Sequence, residues 1–330
     1  MTEMQSSRAG RPSSPSFRDG SATTPAASAP STHFPPGAID AQRPNGALEH
    51  RSLIYSVVEG YRPIELDVFV PADAKSASPA VVWIHGGGFL TGSRQHPPLE
   101  WAPGVLFQPL IDAGIAVVSI DYRHAKEAPF PAQLHDVKAA VRYVRRYAER
   151  LGIDSTRIAA WGESAGGQLA ALLGLVQNDS ALEGVTGVTD VSSAVAAVID
   201  FYGVSDVETM PRFGDAFPAE YRSLLPDPGP DAADPMRTLL EGSALVLERG
   251  RQVASPLSHV RADAPPFLLV HGDSDWIVPA QQSEALASAL IARGVSTELV
   301  LLPGVNHVFM NGNPVPEVER GLRFLLSLGF

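Results

Sequence analysis

The chain has 330 residues, is 45% hydrophobic and 18% charged, and carries a formal net charge of −11. That size suits a globular protein with a large core, built as one big α/β domain or two smaller ones. The acidic balance argues against nucleic acid, whose phosphates need a basic face, and the absence of cysteine excludes disulfides, zinc–thiolate sites and a thiol nucleophile.

Residues 1–50 are rich in Ser, Pro, Ala and Thr and read as a disordered tail. They hold no apolar run of the kind that marks a secretory signal. No stretch of about 18 apolar residues occurs, so no membrane span is expected. The corresponding expectation is a cytoplasmic protein whose ordered domain runs from 51 to 330.

Leu53 to Val58 and Ile64 to Val70 flank a polar Glu-Gly-Tyr-Arg turn and predict an antiparallel pair at a sheet edge. Ala80 to His85 is a short apolar strand running into three glycines, and Ile115 to Ile120 is a second buried strand. Leu134, Val137, Val141, Val144, Ala148 and Leu151 recur at spacings of three and four, which predicts a helix closed by Gly152. Arg157 to Trp161 is the next strand, Gln168 to Gln177 the next helical run, and Ala194 to Phe201 another strand. Residues 203–255 break the rhythm with Pro, Asp and Gly, and have modest helical signals from Met236 to Arg249. They read as a partial lid over one end of the sheet, because long insertions in compact domains are often functional. Phe267 to His271, helix Gln281 to Arg293, Thr297 to Leu302 and helix Pro316 to Leu328 restore the alternation. Strands alternating with amphipathic helices predict an α/β fold: a mostly parallel sheet covered on both faces.

Between the fifth strand and its helix stands Trp161-Gly162-Glu163-Ser164-Ala165-Gly166-Gly167. A strand, a tight turn and a helix with serine at the apex lift the hydroxyl out of the sheet. Serine needs a base, and the base needs a carboxylate to hold its tautomer. Both should follow later strands, since catalytic groups of parallel sheets gather at the carboxyl ends. Among nine histidines, only His307 stands in a glycine-containing loop after the last strand, and it is the expected base. His271 ends a strand and reads as a buried, hydrogen-bonded residue. Two aspartates compete in one loop: Asp273 suits turn-making, and Asp275, deeper in the loop, is favoured as the acid. An oxyanion would need the amide of Ala165 and others from His85-Gly86-Gly87-Gly88-Phe89. No lysine follows those glycines, which disfavours a phosphate cradle.

These motifs resemble the α/β-hydrolase superfamily, and within it the hormone-sensitive-lipase-like and BD-FAE-like esterases, the latter named after bifunctional feruloyl and acetylxylan esterases. The matching pieces are HGGGF at 85–89, DYR at 121–123, GESAGG at 162–167 and DFYG at 200–203. SPLSHV at 255–260, HGDSDWIVP at 271–279 and GVNHVF at 304–309 complete them. The resemblance implies an eight-stranded sheet whose first strands pair antiparallel. It implies Ser164 as nucleophile, Asp275 as orienting acid, His307 as base, and Gly87, Gly88 and Ala165 as oxyanion donors. Glu163, where hormone-sensitive-lipase relatives carry Asp, and the lack of an ordered helical N-terminal cap favour the BD-FAE-like side.

The expected activity is hydrolysis of small to medium acyl esters, with no cofactor and no metal. Amide hydrolysis on the same scaffold is the alternative, and a non-catalytic binding protein is disfavoured because all three site members are present. Phe89, Tyr202, Trp276 and Phe309 flank the motifs and are the expected substrate contacts. The expected partner is a small-molecule ester, with no nucleic acid and no membrane, and a homodimer is compatible with the sequence.

Overall fold

The structure is a computed structural model that describes residues 32–37, 41–42, 46–95, 97–177, 179–219, 229–243 and 247–330. Strands β1 (Ala41–Gln42), β2 (Ala47–Ser56), β3 (Ile64–Pro71) and β4 (Ser78–Ile84) come first. Then follow α1 (Phe107–Asp112), β5 (Ala116–Ile120), α2 (Ala132–Arg146), α3 (Ala148–Leu151), β6 (Ile153–Glu163), α4 (Ala165–Leu175) and β7 (Val198–Phe201). Short helices α5 (Gly229–Ala233), α6 (Pro235–Leu240) and α7 (Leu247–Ala254) belong to the insertion. β8 (Phe267–Gly272), α8 (Gln281–Ala292), β9 (Thr297–Leu302) and α9 (Val315–Ser327) complete the domain.

The strands form one sheet in the order β1-β2-β3-β5-β4-β6-β7-β8-β9. The pairs β1–β2, β2–β3 and β3–β5 are antiparallel, and every pair from β5–β4 to β8–β9 is parallel. The eight expected strands are β2 to β9, and the two-residue β1 is added at the edge. Side chains alternate between faces, as the period of two requires. Val68, Val82, Val118 and Leu269 pack with α2, α4 and α8 on one side. Phe69, Val81, Trp83 and Leu268 pack with α1 and α9 on the other. The central strands are therefore apolar on both faces, as the continuous runs predicted.

Three boundaries differ from expectation. The expected tail of 1–50 gives way to ordered chain before Arg51. β2 starts at Ala47, and Thr32 to Phe34 are tied to the domain. Phe34 N–H donates to Ile54 O, Val57 N–H to Thr32 O, and Tyr143 Oη to Phe34 O. Backbone pairing along a strand edge leaves no hydrophobic period to read. Residues 1–31 lie outside the described residues. The long helix predicted to Leu151 breaks at Tyr147 into α2 and α3. The insertion starts later than 203, because Ser205 and Val207 are fully buried and stitched to Gln282 and Ser255.

Asp200 closes β7 as a buried carboxyl that accepts the Gly203 amide at 2.9 Å. Burial raises it from 3.8 to about 7, against the opposing pull of that hydrogen bond. A carboxyl raised on folding favours the fold fully only below its unfolded value, and the benefit is lost as pH climbs from about 4 to 7. Asp200→Asn should remove this loss. Relative to the wild type, the variant is expected to gain on the order of 4 kcal/mol between pH 4 and pH 8. Urea unfolding across that range checks it, and parallel pH profiles would refute it.

Candidate active site

Ser164 stands between β6 and α4 with φ 54° and ψ −119°, a conformation L-residues rarely adopt. The bend is possible because two glycines make room. A Cβ on Gly166 would lie 2.0 Å from Ile84 O, and one on Gly162 would lie 2.1 Å from Gly166 O. Helix α4 begins at Ala165, so its positive end meets the serine.

Ser164 Oγ lies 2.9 Å from His307 Nε2, and His307 Nδ1 lies 2.6 Å from Asp275 Oδ2. All three residues are buried. A carboxylate only accepts, so Nδ1 carries the proton and Nε2 is left to accept from the serine hydroxyl. Asp275 Oδ1 takes the amides of Ile277 and Val278 at 2.8 and 2.9 Å. Oδ2 also lies 3.3 Å from His271 Nε2. Burial pushes the Asp275 carboxyl up. Electrostatic attraction to the His307 ring and hydrogen bonds from His271 and His307 outweigh that and hold it well below the usual carboxylate range.

The neighbouring candidates separate by role. Asp273 Oδ1 accepts Gly304 N–H at 2.7 Å and clasps the two loops together. His271 is fully buried, with Nε2 2.8 Å from Val278 O and Nδ1 2.7 Å from Ser283 Oγ. His96 lies outside the described residues.

Gly87, Gly88 and Ser164 line one cavity of about 680 Å³. Among the described residues, no acceptor takes the amides of Gly87, Gly88 or Ala165. Glu163 props this loop: its Oε1 accepts Gly86 N–H at 2.6 Å. Burial raises the Glu163 carboxyl to about 7, opposed by His307 and the Gly86 amide. The sequence marked Glu163 only by its place in the motif, and its contact with the glycine loop was not legible there.

The four expected substrate contacts need correction. Phe89 is fully buried in the core, next to Tyr122. Tyr202 is also fully buried, and its ring stands edge-on to His307 with centroids 4.8 Å apart. Phe309 is buried and stacked on Trp101, with 4° between the planes. Trp276 is half-buried against Phe217. None of the four lines the cavity; large apolar side chains beside a motif are taken up by the core first. Its walls come from Leu90, Leu99, Ile277 and Val308, and from Phe213 and Pro235 of the insertion. A segment without periodicity gives no sign of which of its side chains will turn inward.

Trp101 was also missed. Its Nε1–H donates to Val308 O at 2.8 Å and ties the cavity rim to the histidine loop. A second cavity of about 630 Å³ lies between the β2–β3 edge and α1. It shares the Pro97–Leu99 partition with the first but does not reach Ser164.

Fold and site geometry together define an α/β-hydrolase. The chain belongs to the BD-FAE family, whose family model matches residues 66–290. It is 32% identical over 248 residues to the probable carboxylic ester hydrolase LipM of Mycobacterium tuberculosis, covering 72% of this chain and 51% of LipM. Ethyl acetate hydrolase of Pseudomonas putida is 30% identical over 263 residues, covering 76% of this chain and 72% of that protein. A truncated carbohydrate esterase from gut microbiota superposes with a TM-score of 0.71 at 28% identity, covering 87% and 98%. The chain spans about half the length of LipM. Among the described residues, no helix is long and apolar enough to cross a membrane.

Proposed function

We propose that the protein is a serine carboxylesterase that hydrolyses small to medium acyl esters, including acetylated or feruloylated carbohydrate-type esters, through an acyl-enzyme. The observation that carries this is the buried Ser164–His307–Asp275 array opening into a cavity beside amides that no acceptor among the described residues takes. Ser164 Oγ attacks the ester carbonyl while His307 Nε2 takes its proton, and Asp275 steadies the imidazolium. The amides of Gly87, Gly88 and Ala165 receive the oxyanion, where one lost donor costs about 2.7–4 kcal/mol. Collapse expels the alcohol with a proton from His307. Water then attacks the acyl-enzyme by the same route in reverse. The named substrates of the Pseudomonas and gut relatives support a short acyl group and a carbohydrate alcohol.

The test is a panel of p-nitrophenyl esters of rising chain length, acetylated sugars and feruloyl esters. N-formylkynurenine and a short proline peptide are run beside them. The expected result is turnover of acetyl and butyryl esters with little on the two amides. Turnover of an amide above every ester would replace the esterase assignment with amide hydrolysis.

A further inference from the structure

The cavity around Ser164 has an uneven charge. The ionisable side chains that line it are Glu100, Glu163, His85 and His307, and no lysine or arginine among the described residues does so. His85 is held neutral, since burial lowers it to about 4. Glu163 stands beside the glycine loop, and Glu100 stands on the exposed rim. The two carboxylates feel each other, and both act on the buried Tyr202 hydroxyl, so they face one region. Two nearby basic groups are already committed, whereas Arg212 and Arg237, next to the wall residues Phe213 and Pro235 of the insertion, are exposed and do not line the cavity. Arg94, on the same loop as Glu100, is buried against Asp67, Asp121 and Glu65. Lys126 is paired with Asp231 of the insertion at 2.5 Å. The remaining wall is apolar apart from the hydroxyls of Thr91, Ser93 and Ser164, and the whole chain carries a net charge of −11.

We propose that the cavity selects uncharged or cationic esters and rejects those bearing a carboxylate, and that Glu100 at the rim sets this selection with Glu163 behind it. This rests on the esterase assignment above. A like charge a few ångströms from a partly screened rim carboxylate lowers productive encounter by on the order of tenfold. Glu163, whose carboxyl burial raises to about 7, adds to the repulsion deeper in the cavity where the pH is high enough to ionise it. A neutral sugar or short alkyl ester meets no such penalty.

The test compares kcat/KM for methyl 4-acetoxybenzoate, which is neutral, and 4-acetoxybenzoate, which is anionic. Each is normalised to its rate of hydroxide hydrolysis, so that the leaving groups cancel. The wild type is expected to favour the neutral ester by about tenfold at low salt, and by less at high salt. Glu100→Gln should shrink that ratio at least about threefold, and Glu100→Lys should shrink it further or invert it. The ratio does not depend on the fraction of active enzyme, so a partly folded variant cannot imitate the result. A wild-type ratio of one, or a ratio untouched by both variants, overturns the proposal. Absence of turnover of the neutral ester by the wild type would instead overturn the esterase assignment.

Discussion

Ser164→Ala is expected to lower kcat for p-nitrophenyl acetate by about 10⁵- to 10⁶-fold, the scale on which loss of a serine nucleophile acts. The loss should fall on kcat, because the hydroxyl forms the bond that defines the intermediate. The fold should survive. Ser164 Oγ bonds only His307 Nε2 among the described residues, and the bend is made by Gly162 and Gly166. A fluorophosphonate should label the wild type and not the variant, with unchanged urea midpoints. Substantial turnover by the variant would show that another group attacks the ester.

Asp275→Asn is expected to cost about 10⁴-fold in kcat, for a reason the hydrogen bonds make specific. Oδ2 faces His307 Nδ1–H and His271 Nε2, and Oδ1 faces two backbone amides. Val278 O can only accept, so His271 Nε2 carries a proton. An asparagine therefore sets its NH₂ against donors in either orientation. The imidazole escapes by taking the other tautomer, with its proton on Nε2, and can no longer accept from Ser164. Each donor left without a partner also destabilises the fold by about 1–3 kcal/mol, so the urea midpoint should fall together with kcat. A variant with wild-type kcat would show that Asp275 does not orient the base.

That Ser164, Asp275 and His307 come together was legible because each is marked by a local pattern. The Ser164 turn is announced by its glycines, and Asp275 and His307 by loops that follow apolar strands. The eight main strands were legible for a similar reason, since central parallel strands are apolar on both faces. The wall of the cavity was not. Phe89, Tyr202 and Phe309 carry backbone in the left-handed region, with φ of 63°, 45° and 55°. No residue-type preference foretells such a conformation for an aromatic side chain, and it turns their rings into the core. Phe213, Pro235 and Glu100 reach the cavity from loops whose paths depend on tertiary contacts. The edge formed by residues 32–34 was hidden because backbone hydrogen bonds require no side-chain pattern.

That hidden edge bears on how much of the sheet border is open to pairing. β2 is the outermost long strand, and its outer flank is where residues 32–34 and β1 find partners. A bare strand flank is a row of unpaired donors and acceptors on which a neighbouring molecule can build. A chain cut back to Gly46 would keep its serine, aspartate and histidine and the whole of β2, and lose this covering. Residues 32–34 and β1 thus form a selvedge, a finished border that occupies backbone groups of β2 which a neighbouring sheet could otherwise pair with.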